Sequence, residues 1–330
     1  MPNFTFLTGS TGFIGAAIAR LLIAKGHRLR VLSRPNNDRR NLLGLNVEIV
    51  EGDLANPKTY LHALKDCRYL FHVAADYRIW VPDADAMHRV NVHGTRALMM
   101  AALEAGVERV VYTSSVATMG LHKDGTPACE DSPVSYRDMV GVYKQSKYRA
   151  EEEVCRLIAH EKLPAVIVNP SSPIGPRDIK PTPTGRIIVD AIKGKIPAYV
   201  DTGLNIVHVE DVAMGHWLAF EHGKIGERYI LGGDNLALSE ILGLIAEIDG
   251  RPGPKIKLPR SAIFPVAFGM EIAALLTGWE PMVTIDALRM AKNKMFFSSS
   301  KAEHHLGYKA RPAREAITDA IAWFRAEGYY

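Results

Sequence analysis

The pentapeptide YKQSK at 143–147 sets a tyrosine and a lysine four positions apart. On a helix that spacing puts both side chains on one face, one turn from each other. A free phenol titrates near ~10, too high for an efficient base at neutral pH, and a neighbouring ammonium favours the phenolate. Tyr143 could then take a proton from a substrate hydroxyl or return one to a carbonyl oxygen, with Lys147 as its tuner. Taken alone, the pair also reads as two residues sharing an exposed helix face. Upstream, YTSS at 112–115 ends in Ser115, whose hydroxyl could bond the reacting oxygen and stabilise charge developing there. Thr113 and Ser114 adjoin it and leave the register open by one.

A second constellation lies at the start of the chain. TGSTGFIG (8–15) stands between an apolar run and a helical pattern. Gly9 permits a tight turn, Gly12 lets the backbone approach a pyrophosphate, and Gly15 lets helix pack on strand, while the free N–H groups of the helix start face the phosphates. Thr11, Phe13 and Ile14 belong to the same coenzyme-binding loop. The G-x-x-G-x-x-G spacing differs from the usual G-x-G-x-x-G fingerprint. At the end of the second strand, where an acid would hold the ribose of NAD, the chain carries SRPNNDRR (33–40). Arg34 occupies that place, with Arg39 and Arg40 close behind. A guanidinium matches a 2′-phosphate, so NADP(H) is expected over NAD(H); a solvated basic loop is the plainer alternative. Asp53, in GDL after the third strand, is placed to meet the adenine.

These residues need a frame. Strands are expected at 4–8, 28–33, 47–51, 69–75, 109–115 and 165–170. Helices are expected at 13–25 (closed by Gly26), from the Asn56-Pro57 start, around 84–105 and over 137–160. Strands alternating with helices imply an α/β fold, a doubly wound parallel Rossmann-type sheet. After the Pro-rich loop 177–185 the pattern becomes mixed. The expected division is a dinucleotide-binding domain over 1–170 and a smaller substrate-binding region over 171–330, with part of 205–235 returning to the core.

Composition fits this frame. The chain has 330 residues, 47% of them hydrophobic and 23% charged, and a formal charge of +4. That charge is too weak and dispersed to argue for nucleic acid, while an anionic small ligand stays open. Cys67, Cys129 and Cys155 show no metal-ligand spacing and read as reduced thiols, so a cytoplasmic protein without a metal site is expected. The N-terminus lacks a signal-peptide pattern and no stretch reaches the length of a membrane span. The apolar segment 262–279 is expected to be a core or interface helix, a surface-lying membrane helix being the alternative.

Across its whole length the chain resembles the extended short-chain dehydrogenase/reductase family, the NAD(P)-dependent epimerase/dehydratase group. TGSTGFIG, GDL (52–54), HVAA (72–75), NVHGT (91–95), YTSS, YKQSK, NPSSPIGP (169–176) and VHVEDVA (207–213) carry the resemblance through their order and spacing. It implies that Tyr143 is the proton donor and acceptor, that Lys147 also holds the nicotinamide ribose, and, with Gly120 downstream, that Ser115 is the active-site serine. Asn91 resembles the helix asparagine that supports the lysine through backbone and water; a polar residue at a helix kink is its plainer reading. Leu54, Ala74, Ala75, Thr113, Pro170 and Ser172 fall at coenzyme-contacting positions. His208 is expected to tie the second region to the first.

The resemblance also bears on the reaction. Dehydratases of the family place an acid pair after the serine, whereas Val116, Ala117 and Thr118 follow Ser115, so a reductase or an epimerase remains. Segment 173–213, AADYRIW (74–80) and KNKMFFSSSKAEHHLGY (292–308) resemble hopanoid-associated sugar epimerases most closely, which implies a sugar or nucleotide-sugar substrate. YTSSVAT resembles the dihydroflavonol reductase branch, the alternative reading. A non-catalytic coenzyme sensor is a lesser one, because such proteins usually lack the tyrosine or lysine. Tyr77, Arg78 and Trp80 could wall the substrate site or form a buried aromatic cluster. Arg177, Lys180 and Arg186 could hold an anionic substrate or form a solvated basic face. The family commonly dimerises through helices equivalent to 84–105 and 137–160, so a homodimer is expected.

Overall fold

The computed structural model describes residues 3–78, 83–277, 281 and 283–330. The first half runs β1 (Phe4–Thr8), α1 (Phe13–Ala24), β2 (Arg28–Ser33), β3 (Val47–Glu51) and β4 (Cys67–His72), then α2 (Ala84–His88), a π-helical turn (Arg89–Gly94) and α3 (Thr95–Glu104). β5 (Arg109–Thr113), α4 (Gly141–Glu161) and β6 (Ala165–Pro170) complete it. Next come β7 (Ser172–Ile174), α5 (Pro183–Ile192), β8 (Ala198–Val200), β9 (Gly203–His208), α6 (Val209–His222) and β10 (Arg228–Leu231). The chain ends through β11 (Asp234–Ala237), α7 (Leu238–Asp249), β12 (Ile256–Leu258), α8 (Arg260–Thr277), α9 (Ile285–Met290), α10 (Ser300–Leu306) and α11 (Ala313–Ala326).

Seven strands form one parallel sheet in the order β3-β2-β1-β4-β5-β6-β10. Its central strands are buried on both faces, which is why β5 and β6 read as unbroken apolar runs rather than alternating ones. One core layer joins Phe6, Leu70, Val110 and Ile167 to Leu98, Val154 and Leu157 of α3 and α4. The opposite layer joins Leu7, Val31, Val111 and Val168 to Ile18 and Leu22 of α1 and to Val212 and Phe220 of α6. Strand order reverses between β1 and β4, and in open α/β sheets ligands bind beyond the carboxyl ends of the strands at that point. A second sheet, β11-β9-β7, packs under α5, α7 and α11, and β8 pairs with β12.

Several boundaries differ from the sequence expectation. β4 ends at His72 and β5 at Thr113, so Ser114 and Ser115 lie beyond the strand. The helix expected over 84–105 is interrupted by the π turn, and the one expected from 137 starts at Gly141 after a 3-10 turn. Asn56-Pro57 opens only a single 3-10 turn, Pro57–Thr59, and Asn56 does not cap it. Instead the Thr59 hydroxyl folds back to donate to Asn56 O (2.7 Å) and accept from Asp53 N (3.0 Å). Gly26, at φ +84°, adopts the left-handed conformation just past α1 that its position predicts. Within the expected core or interface helix over 262–279, the described residues of α8 are not core: Val266, Phe268, Ile272 and Leu276 turn to solvent.

Candidate active site

Tyr143 and Lys147 lie in the first two turns of α4, facing the carboxyl end of β5. Lys147 is buried. Its Nζ donates to Thr113 O at 2.9 Å, lies 3.4 Å from the Tyr112 hydroxyl and sits over the Tyr112 ring at 5.0 Å. Burial lowers its pKa to about 8 against the opposing pull of Glu151. Burial raises the Tyr143 phenol above its ordinary value, and the nearby Ser115 hydroxyl works the other way. The sequence reading expected Lys147 to draw Tyr143 towards phenolate. Burial wins, and the ammonium is held by Thr113 and Tyr112 instead. Tyr143 is therefore a protonated donor at neutral pH.

Ser115 is fixed by where the chain leaves β5. It caps a 3-10 turn, accepting from Ala117 N at 3.1 Å. Asn169 of β6 donates to Ser115 O (3.0 Å) and to the buried Glu151 carboxylate (2.9 Å), which also accepts from Thr118 (2.9 Å) and Arg228 (3.1 Å). Glu151 thus anchors the serine turn and stands one helical turn beyond Lys147. Sequence reading passed over it, although its i+4 spacing from a buried lysine was visible. Thr113 faces away from the lysine: its hydroxyl bonds His216 Nε2 at 2.9 Å, and only its carbonyl turns to Lys147.

Asn91 sits in the π turn and is buried. Its Oδ1 accepts from Asp76 N (2.7 Å) while its Nδ2 donates to Asp76 O (2.8 Å) and to Ser146 Oγ (2.9 Å). It therefore clamps the loop after β4 to α4 beside Lys147, without touching the lysine.

The loop after β1 fits a dinucleotide. Gly9 has φ +75°, and a Cβ there would lie 2.7 Å from Ala74 N; one on Gly15 would lie 2.1 Å from Gly9 O. Gly12 N donates to Gly9 O at 2.9 Å, and α1 begins at Phe13 and Ile14. Thr11 is held by Asn37 and Asn41. Ser10 Oγ, Asn41 Oδ1 and Ser171 Oγ, the last between Pro170 and Ser172, are buried without hydrogen-bond partners. Such orphans are costly unless a bound group completes them. When bound, the coenzyme would supply the hydride chemistry, with its phosphates at the Gly9–Gly15 turn and its nicotinamide end towards Lys147. Of the residues expected near the adenine, Asp53 accepts from Ala55 N (2.9 Å) and Leu54 packs under Gly94. Arg39 is paired with Glu51 and Arg40 with Asp38. Arg34 is exposed just after β2 and acts electrostatically on Asp76.

The residues expected at the substrate divide. Arg186 acts electrostatically on both Tyr77 and the buried Asp178, whose pKa burial raises to about 6. Arg177 instead offers its carbonyl to Asn41 (3.3 Å) and bears on Arg20, and Lys180 bears on Asp38, both on the glycine-loop side. Arg78 pairs with Asp76. Trp80 lies outside the described residues. His208 is buried, accepting from Glu210 N (3.0 Å) and bonding Asp319 (3.2 Å) and Arg311 (3.1 Å), so it ties β9 to the C-terminal segment.

Two histidines missed in the sequence brace the site from behind. His72 lies between the Thr8 and Thr95 hydroxyls (2.7 and 2.9 Å), and His216 donates to Val212 O (2.7 Å). Burial lowers them from 6.5 to about 3 and about 4. Between those values and 6.5 the unfolded chain binds protons that the folded chain refuses, so stability falls as pH drops through that window. Each contributes roughly 1.4 kcal/mol per pH unit. Denaturant midpoints measured from pH 7 to 4 should show this slope, and His216→Gln should flatten it.

The NAD dependent epimerase/dehydratase family matches residues 5–232, spanning β1 to the end of β10. The chain belongs to this family. A provisionally named dihydroflavonol 4-reductase from Synechocystis sp. is 43% identical over 100% of this chain and 96% of its own length. Sterol demethylase protein B from Methylococcus capsulatus is 33% identical over 98% and 99%. The crystal structure of gox2253 superposes with a TM-score of 0.90 at 58% identity, covering 99% of each chain. Family and relatives together make this epimerase/dehydratase-family member an NAD(P)-dependent oxidoreductase or epimerase of the extended short-chain type.

Proposed function

We propose that the protein transfers hydride between NADP(H) and a carbinol or carbonyl carbon, with Tyr143 carrying the proton. The observation behind this reading is the buried Lys147 held against Thr113 O one helical turn from Tyr143, with the Ser115 hydroxyl acting on the same phenol. In the reducing direction Tyr143 donates its phenolic proton to the carbonyl oxygen as charge develops there, and Ser115 donates a hydrogen bond to the same oxygen. Lys147, held against Thr113 O, places positive charge behind the phenol and stabilises the phenolate left after transfer. In the oxidising direction the same groups run in reverse.

Arg34 supports the choice of NADP(H), since an exposed planar guanidinium just after β2 suits a 2′-phosphate. Arg34→Ala should weaken NADPH binding by about 10-fold or more while leaving NADH nearly unchanged. Titration of both coenzymes tests this, and a preference for NADH in the unaltered protein would overturn it.

The substrate reading follows the hopanoid-associated sugar epimerases: a sugar-type molecule whose polar end meets Arg186 and Tyr77, oxidised, turned and reduced on its other face. The 43%-identical reductase-named relative favours a second reading, net NADPH-dependent carbonyl reduction. Mass spectrometry of co-purified ligands, followed by assay on the ligand found, separates them. Epimerisation interconverts stereoisomers with no net change in coenzyme absorbance, whereas reduction consumes NADPH in step with substrate. A homodimer through α3 and α4 belongs to the same proposal, and a purely monomeric gel-filtration profile would count against it.

A further inference from the structure

The outer face of α8 is apolar from end to end. Phe264, Val266, Phe268, Ile272 and Leu276 are exposed, Phe268 by 58% and Leu276 by 82%, while Ala267 and Ala274 point inward. The helix's charged residues are Arg260 at its start and Glu271, which turns inward to accept from Ile285 N at 2.8 Å. Ile256 and Leu258 on the adjoining β12 extend the patch. A run of large exposed apolar side chains this long marks a surface with a partner.

The charge around the patch says which partner. Lys257, Lys294 and Arg260 converge on one carboxylate, Asp201, at the β12 end of α8, and Lys255 stands exposed two residues from Lys257. Three cations around one acid, with Lys255 close by in the chain, leave a positive rim on an apolar face. That combination matches an anionic lipid surface, which takes apolar side chains between its head groups and basic ones beside its phosphates. No helix among the described residues is long and apolar enough to cross a membrane. The far side of α8 packs on α9, whose Asp286 and Met290 line one cavity with Val140, Gly141, Tyr143 and Lys144.

We propose that α8 lies in the interface of an anionic phospholipid bilayer, with the basic rim on the head groups and α9 between α8 and the cavity beside Tyr143. The test is co-sedimentation of the full chain with vesicles of phosphatidylglycerol and phosphatidylcholine, against vesicles of phosphatidylcholine alone. The protein should partition at least ten-fold more strongly onto the anionic vesicles, less so in high salt. Phe268→Glu with Leu276→Glu should abolish partitioning, and Lys255→Glu with Arg260→Glu should remove the preference for anionic lipid. Phe268→Trp, a milder change on the same face, should show blue-shifted emission on vesicles. Failure to sediment, or glutamate variants that bind as before, would overturn the proposal. So would a glutamate variant that drops by one protomer in gel filtration while the parent ignores vesicles, since the face would then bind a second copy.

Discussion

Tyr143→Phe should lower turnover by about 10³-fold, the size expected when a positioned general acid is removed. Coenzyme affinity should stay within a small factor. The phenyl ring keeps its place at the start of α4, and the loss is the hydroxyl that meets Ser115. Lys147 keeps its bond to Thr113 O, so the nicotinamide end of the pocket is undisturbed. Single-turnover kinetics beside a coenzyme titration make the comparison. A coenzyme sensor would behave alike with either residue, and surviving turnover on an identified substrate would remove Tyr143 from the mechanism.

The second large effect belongs to Gly15→Ala. The new methyl would stand 2.1 Å from Gly9 O and 2.5 Å from Gly9 C. Both are main-chain atoms, so no side chain can swing aside. The turn must open, moving Gly12 and the first N–H groups of α1 away from where a pyrophosphate would lie. We expect NADPH affinity to fall by about 100-fold, or near 3 kcal/mol, with a further loss of about 1–3 kcal/mol in stability from overpacking. Gly243→Ala is the control. It lies inside α7 with open space around its Cα, and should stabilise slightly. Calorimetric titration and thermal midpoints read both quantities, and a Gly15→Ala protein that bound NADPH normally would sever the loop from the coenzyme.

Legibility followed the range of the interactions. β1, β2, β3 and β6 match their expected spans to the residue: β1 and β6 are buried on both faces and show as short apolar runs, whereas β3, at the edge, shows as alternating apolar and charged residues. The glycine turn was equally plain, since Gly9, Gly12 and Gly15 answer to contacts within their own loop or with its neighbour, Ala74. What stayed hidden depends on partners far along the chain. Nothing local says that Asn91 will find Ser146 rather than the lysine, or that Glu151 will gather Thr118, Asn169 and Arg228 under the serine turn. The pairing of Arg39 with Glu51, one strand away, is of the same kind. The outward face of α8 escaped for a different reason: an apolar helix has the same composition whether protein covers it or not.

The position of β10 has a consequence for how the chain is made. The strand that seals the outer edge of β6 is residues 228–231, so an emerging polypeptide displays β6 as a raw hydrogen-bonding edge until about two-thirds of it has been synthesised. Tyr229 and Leu231, which complete the layer beneath α6, arrive with it. The sheet is therefore completed late, and a recombination crossover near residue 170 would exchange its edge strand β10 along with the rest of the back half of the chain.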